Sequence, residues 1–345
     1  MVDREAAGRG CPNEGGGRPV IPQNPARISA PSYCVGIIHY QSYADLESCL
    51  GAVAGQTLRP RAVRVVDAGA DTDALVKIRD RHPGVAFEAA ANRGYSAAAN
   101  RLLAWASGPD VGADFCLLLN PDVTLEPDFG QRLVDALAAR PDAALGTGKL
   151  LRPDRLTLDS AGIALPAHRR TRDRGSEQHD RGQYDRGEYV FGASGAAMML
   201  RCAALADLAL EGEVFDEDFF LYHEDTDLSW RAHVLGWRVY YEPLARAVHA
   251  RGWKKGQRFR VPPAVRRHSF KNYYLQLIKN ESAAGFLLRL PVLLAWEVLR
   301  LGHAAIRDPQ ILPAYVDAWG LAGRAFHKRR ILRARRARRP NRGAR

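Results

Sequence analysis

The chain has few cysteines, no phosphate-binding glycine loop and no apolar stretch in residues 1–31, and each gap argues against a class of protein. Its five cysteines, Cys11, Cys34, Cys49, Cys116 and Cys202, are scattered with no C-x-x-C pair. An odd, dispersed set indicates neither a disulfide framework nor a zinc site. Cys34, Cys49 and Cys116 lie in apolar runs and read as small core residues in a reducing compartment. No G-x-x-x-x-G-K-S/T occurs, and Gly192-Ala193-Ser194-Gly195-Ala196-Ala197 does not match G-x-G-x-x-G, so P-loop and dinucleotide sites lack support. His223-Glu224-Asp225 fails the H-E-x-x-H pattern of zinc proteases. Residues 1–31 are rich in Gly, Pro and Arg without an apolar stretch, which is unlike a secretory signal and is expected to be disordered. The expected location is cytoplasmic.

Acidic residues are missing from one region only. Arg324 to Arg345 holds eleven Lys/Arg and no acid, so of the net charge of +12 only one unit belongs to everything before it. The body is nearly neutral, and the charge does not spread over a nucleic-acid-binding surface. With 46% hydrophobic residues over 345 positions, the chain can bury a large core.

Apolar runs fit for buried strands are Val35–Tyr40, Ala62–Asp67, Val85–Ala90 and Phe115–Leu119, with helical spacing between them. The repeated order of strand, loop and helix predicts an α/β fold whose sheet is mostly parallel with helices on both faces. In such sheets ligands bind at the carboxyl ends of the strands. Asp67, Asn92 and Asp122 fall there, and Pro121 fixes the backbone that aims Asp122. Taken singly, Asp67 and Asn92 are equally ordinary turn residues. A carboxylate at a strand end suits a hard divalent cation completed by water and substrate phosphates.

Later strands are expected at Tyr189–Phe191, Ala197–Leu200 and Trp237–Tyr241, and a helix from Thr226 to Leu235. The polar segment His168–Glu188 reads as a mobile loop. Gly192, Ser194 and Gly195 form a turn that brings backbone close to a ligand, as in an acceptor loop, or simply a tight turn. Phe215–Leu228 sets six carboxylates among aromatic and apolar side chains. Desolvation there raises a carboxyl pKa toward the range of a general base. Glu224 and Asp225 are adjacent like charges, which pushes one pKa up, whereas Asp227 and Arg231 are spaced as a structural pair on a helix.

Four motifs in order, Val65-Val66-Asp67, Asn92-Arg93-Gly94-Tyr95-Ser96-Ala97-Ala98-Ala99-Asn100, Leu119-Asn120-Pro121-Asp122 and Phe219–Leu228, make the stretch from Cys34 to Trp253 resemble the family 2 glycosyltransferases. Within them it is similar to the bacterial rhamnosyltransferase-like branch that builds surface polysaccharides. The resemblance implies a GT-A fold, a nucleotide-sugar donor, Mg2+ or Mn2+, and inversion at the sugar carbon. By the same resemblance Asp67 contacts the nucleotide base, and Asn92, Gly94 and Asn100 lie beneath the donor. Asp122 matches the metal-binding acid of the D-x-D motif, with Asn120 standing where the first acid would be, and His249 matches a position that helps hold metal or diphosphate. Asp225 matches the base that deprotonates an acceptor hydroxyl, with Glu224 as its rival. The acceptor would be a glycan or a polyprenyl-linked sugar.

Phe270–Ile306 is apolar but interrupted by Arg289, Glu297, Arg300 and His303, which share one sector of a helical wheel. Such a stretch reads as an amphipathic helix that packs on the catalytic domain or lies on an anionic membrane at its inner face. The expected organisation is therefore a catalytic domain over 32–256, a helical region over 257–323 and a basic disordered tail over 324–345. Two other functions compete: a sugar-phosphate nucleotidyltransferase, for which Gln41–Asp45 offers no Gly- and Lys-rich loop, and a nucleic-acid-binding protein using the tail, although no specific nucleic acid is expected.

Overall fold

The structure is a computed structural model that describes residues 30–69, 72–251, 259 and 261–338. Expectations for residues 1–29, for Trp253 and for 339–345 lie outside the described residues. From Pro31 onward the chain forms one compact unit.

The first half alternates as its apolar runs require: β1 (Tyr33–His39), α1 (Tyr43–Ala54), β2 (Val63–Asp67), α2 (Thr72–Arg81), β3 (Val85–Ala89), α3 (Tyr95–Ala106) and β4 (Phe115–Leu119). Every residue of β4 is buried, since the sheet is covered on both faces, and this is why its sequence is apolar throughout and does not alternate. β2 and β4 flank β1 in parallel, and β3 adds in parallel to β2. Their carboxyl ends therefore share one edge of the sheet.

The second half supplies β5 (Val123–Leu125), α4 (Phe129–Ala138), β6 (Ala143–Leu151), β7 (Leu158–Ser160), β8 (Ile163–Ala164), β9 (Arg172–Asp173), β10 (Glu188–Val190), β11 (Ala197–Arg201), α5 (Cys202–Leu208), α6 (Glu224–Val234) and β12 (Arg238–His249). The sheet runs β10-β12-β6-β11-β4-β1-β2-β3, with β5 on β12 and β7 on β6. β11 is antiparallel between β4 and β6, and β12 lies parallel to β6. The result is the expected mostly parallel α/β sheet flanked by helices, with further helices at the C-terminus. The strand expected over Trp237–Tyr241 continues to His249, which pairs with Val123 and so stands beside Asp122.

Three expectations need correction. The segment His168–Glu188 is not a free loop: β9 pairs with β8, and the fully buried Lys149 of β6 binds Asp180 at 2.9 Å and also Asp185. A buried ammonium demands such partners, so the polar segment is part of the fold. The basic tail is not disordered from Arg324, because a helix runs from Ala314 to Ala337. Its cations meet the acids of the body: Lys328, 2% exposed, reaches Asp216 at 2.6 Å and Asp218 at 3.2 Å, while Leu332 is buried in the core.

That helix is α9 (Ala314–Ala337), preceded by α7 (Pro263–Asn280) and α8 (Ala283–Arg307). The single amphipathic helix expected over Phe270–Ile306 is thus two, broken at Glu281 and restarted by Ser282, whose hydroxyl accepts the Gly285 N–H at 2.8 Å. Glu297 and Arg300 of the polar sector of α8 face inward. Glu297 accepts the Tyr274 hydroxyl at 2.7 Å, and the Arg300 guanidinium lies 4.1 Å from the Tyr273 ring centre. The apolar side faces out, with Leu288 78% and Ile306 79% exposed. No helix among the described residues is long and apolar enough to cross a membrane.

Candidate active site

Two strand ends meet at the carboxyl edge of the sheet. After β4, Asn120-Pro121-Asp122 turns the chain, and His249 closes β12 beside it. His249 Nε2 is 3.3 Å from Asp122 Oδ2, and its Nδ1 is 2.7 Å from Asp159 Oδ2. Asp159, on β7, is fully buried and also meets Arg152 at 3.0 Å and Arg251 at 3.4 Å. Burial works against an imidazolium at His249, but the hydrogen bonds to Asp122 and Asp159 outweigh it and push the pKa up to about 9. Burial would raise the Asp159 carboxyl, yet its bond to His249 and the nearby Arg251 hold it below the usual carboxylate range.

The acidic stretch approaches from the other side through strained backbone. Phe220, Tyr222 and His223 adopt φ of 63°, 70° and 67°, which side chains bearing a Cβ rarely tolerate. Three contacts over-determine this path. The Asn272 side-chain amide of α7 lies 2.8, 2.9 and 2.7 Å from the carbonyl oxygens of Phe219, Leu221 and Tyr222. Asn100 of α3 both donates to the Phe215 carbonyl and accepts its N–H, each at 2.8 Å. Gly94, at φ 88°, passes so close that a Cβ there would sit 2.3 Å from the Phe220 oxygen.

Beyond the strained residues α6 begins and delivers Glu224 and Asp225. Asp225 Oδ2 accepts the Gly195 N–H at 3.0 Å, and Oδ1 accepts the Thr226 N–H at 2.7 Å. A Cβ on Gly195 would lie 3.3 Å from that of Asp225, so the glycine is what allows the carboxylate onto the backbone. Burial raises the Asp225 pKa despite these two donors. Glu224 is more deeply buried, one of its oxygens has no hydrogen-bond partner, and burial followed by the charge of Asp225 raises its pKa well above the ordinary value. Asp227 points elsewhere: fully buried, it pairs with Arg231 at 2.7 Å and Lys279 at 2.8 Å, a structural ion pair as the i,i+4 spacing implies.

A cavity of about 730 Å³ joins the two sides. Asn120, Asp122, Ser194, Gly195, Glu224, Asp225 and His249 all line it. Asp67, Asn92, Gly94, Asn100 and Gly192 do not, and each makes local contacts. Asp67, 3% exposed, ties His39 at 2.6 Å to the Gly69 N–H at 2.9 Å. Asn92 accepts the Gly94 N–H at 3.0 Å in a side-chain turn. Gly192 packs on Ser229, and its carbonyl accepts the Ile163 N–H at 2.7 Å.

Among the described residues no group of three or more His, Cys, Asp and Glu gathers as a ready metal cluster. Asp122 and His249 nevertheless fit a divalent cation that completes its shell with phosphate oxygens and water. With Nδ1 engaged by Asp159, the Nε2 edge of His249 is turned to the Asp122 carboxylate, the arrangement in which an outer carboxylate orients a ligating imidazole.

Comparison with known proteins identifies the family. The sequence profile of Glycosyl transferase family 2 matches residues 34–208, just over half of the chain. The chain belongs to the family 2 glycosyltransferases. Over 245 residues the transferase is 28% identical to an N-acetylglucosaminyl-diphospho-decaprenol L-rhamnosyltransferase found in two strains of Mycobacterium tuberculosis, covering 64% of this chain and 76% of the relative. A mannosyltransferase from Pyrobaculum calidifontis, solved in complex with GDP-mannose and Mn2+, superposes with a TM-score of 0.50 at 19% identity, covering 90% of this chain and 81% of that one. That likeness shows a shared GT-A fold.

Several residues of this candidate site escaped the sequence. Asp159 and Arg251 arrive from a short strand and from the end of β12, with no motif around them. Tyr95, whose hydroxyl donates to the Gly195 carbonyl at 2.8 Å, stands inside a quoted motif without any cue to that bond. Asn272 carried one signal, an amide between the aromatic residues Phe270 and Tyr273 where a helix would be expected to bury apolar groups.

Proposed function

We propose that this glycosyltransferase moves a sugar, L-rhamnose in the reading its mycobacterial relatives suggest, from a nucleotide-diphosphate donor to a hydroxyl of a polyprenyl-linked glycan in surface polysaccharide synthesis, with inversion. The observation that carries the reading is the Asp225 carboxylate, raised in pKa by burial and fixed by the Gly195 N–H, in one cavity with Asp122 and His249. The acceptor oxygen forms a bond to the anomeric carbon as the bond from that carbon to the diphosphate breaks, and Asp225 takes the hydroxyl proton. Such a transition state has oxocarbenium character, as in glycoside hydrolysis. Asp122 and His249 would hold Mg2+ or Mn2+, which supplies charge neutralisation to the departing diphosphate. Glu224, with no partner on one oxygen, lies close enough in sequence to tune the base but is buried away from solvent.

In this reading residues 32–256 are the catalytic domain, 257–323 the helical region, and the outward apolar side of α8 rests on the inner face of the membrane where a polyprenyl acceptor resides. Exposed Leu287, Leu288, Leu294, Val298 and Ile306 carry the apolar side, and Arg307 ends it with a cation suited to anionic lipid.

The test is transfer from a panel of nucleotide-diphosphate sugars, rhamnosyl donors included, to a short-chain prenyl-diphosphate-linked N-acetylglucosamine, with and without Mn2+. One donor should give a product of inverted anomeric configuration. Retention of configuration, or no product with any donor, would overturn the proposal.

A further inference from the structure

A second cavity, of about 630 Å³, adjoins the catalytic one and shares Arg170, Tyr222, His223, Ser269 and Trp296 with it. Its walls come from α7, α8 and the strained segment before Asp225. The two cavities differ in character: Asp122, Asp173, Glu224 and Asp225 face the first, whereas among the described residues no Asp or Glu lines the second. We infer that this second cavity binds the diphosphate and first isoprenoid units of a lipid-linked acceptor, an inference that rests on the glycosyltransfer reading above.

Arg300 makes the case for an anion. Its side chain is 10% exposed, yet Nη1 has no hydrogen-bond partner, the carboxylate of Glu297 being 3.9 Å away. The guanidinium lies 4.2 and 4.1 Å from the ring centres of Phe270 and Tyr273, which fixes Nη1 in place without satisfying it. One turn earlier on the same face, Trp296 Nε1 is a second buried donor with no partner. Two orphan donors, one of them charged, are costly in a folded protein unless a ligand completes them. Arg266, by contrast, is already neutralised by both oxygens of Asp308 at 2.8 and 3.0 Å. The positive field is also felt by His223, whose pKa burial first and then Arg170 and Arg300 lower to about 4.

The remaining wall is apolar. Phe270, Tyr273 and Ile311 floor the cavity, and Leu299, 65% exposed, belongs both to its rim and to the outward face of α8. A ligand with an anionic head at Arg300 and an apolar tail leaving over Leu299 would pass from the catalytic carboxylates to the helix face proposed to meet the bilayer. The volume lies within the roughly 300–1,000 Å³ usual for small-molecule sites, enough for a head group and part of a chain but not for a whole polyprenol.

The test uses the full chain, titrated by calorimetry with farnesyl diphosphate as the probe and with inorganic pyrophosphate and farnesol as its two halves. The wild type should bind farnesyl diphosphate at least tenfold more tightly than either half. Arg300→Gln should lose tenfold or more of that affinity, and Arg300→Lys less, with nucleotide-sugar affinity within about twofold of wild type in both. Leu299→Ser, on an exposed position where folding is not at risk, should weaken farnesyl diphosphate and leave pyrophosphate unchanged. Unaltered farnesyl diphosphate binding in Arg300→Gln or in Leu299→Ser overturns the site, as does displacement of the probe by a nucleotide sugar. If the probe binds as described but no donor supports transfer, the glycosyltransfer reading fails and the lipid-diphosphate site stands. If transfer occurs and both variants bind like wild type, the site alone falls.

Discussion

In the proposed reading Asp225 is the base, and its surroundings oppose each other. Burial discourages the carboxylate, whereas the N–H groups of Gly195 and Thr226 hold it in one orientation. Asp225→Asn should lower kcat by about 10²–10⁴, the range attributed to a general base, with the donor dissociation constant hardly changed in a calorimetric titration. Glu224→Gln should cost much less. The reverse ranking would assign the base to Glu224. The sign of the pH effect follows from the direction of the shift: a raised pKa means the base form is lost as pH falls, and at higher pH than for an ordinary aspartate near 3.9. The acid limb of log(kcat/KM) should therefore sit above that value in wild type and disappear with the residual activity of Asp225→Asn. At this scale the sequence was informative. The adjacency of Glu224 and Asp225 and the position of Asp122 after an apolar strand are local facts. That Asn100 fastens Phe215 and does not line the catalytic cavity is decided by packing across more than a hundred residues of chain.

At the scale of elements, the strained segment before α6 is held by helices that come much later in the chain. Asp216 sits between Lys279 of α7 and Lys328 of α9, all three nearly inaccessible. Burial alone would raise this carboxyl, but the two ammonium groups keep it well below the usual carboxylate range. A depressed folded-state pKa contributes stability that is present above the unfolded value near 4 and is lost as pH falls toward the folded one. Asp216→Asn should therefore destabilise the protein by roughly 3–5 kcal/mol at neutral pH, as expected when one partner of a buried ion pair is removed. Urea unfolding at pH 7 and pH 3 should show the gap between variant and wild type narrowing at the lower pH. On α8 the apolar side is exposed, so Leu288→Asp and Val298→Asp should abolish co-sedimentation with anionic vesicles. The same changes should move stability by no more than about 0.5 kcal/mol, as for other surface sites. Unimpaired vesicle binding in the double variant would remove α8 from the proposed membrane contact. The wheel of Arg289, Glu297, Arg300 and His303 was visible in the sequence, but not which way it faces. Helical periodicity defines a polar side, and only the rings of Phe270, Tyr273 and Tyr274 on the facing helix turn its Arg300 inward.

For the whole molecule, the C-terminal helix is the point at which composition misled. A run of cations with no acid reads as a solvated tail, because sequence windows do not see the acids at 213, 216 and 218 that receive Lys328. Removing everything from Ala314 onward should therefore lower the thermal midpoint of the catalytic body, by roughly 10 °C if several kcal/mol are lost at about 2–4 °C per kcal/mol. A truncated protein that melts with the full chain would show the helix to be dispensable.

The sequence by itself determined the α/β alternation, the parallel core β3-β2-β1-β4, and the carboxylates at the strand ends, since all of these follow from short-range periodicity and from which residues end an apolar run. Only the tertiary structure decided that β12 extends to bring His249 against Asp122, that Asp159 orients it, and that two helices near the C-terminus brace the backbone beneath Asp225. Those contacts join residues far apart in the chain, and burial, not local pattern, selects them.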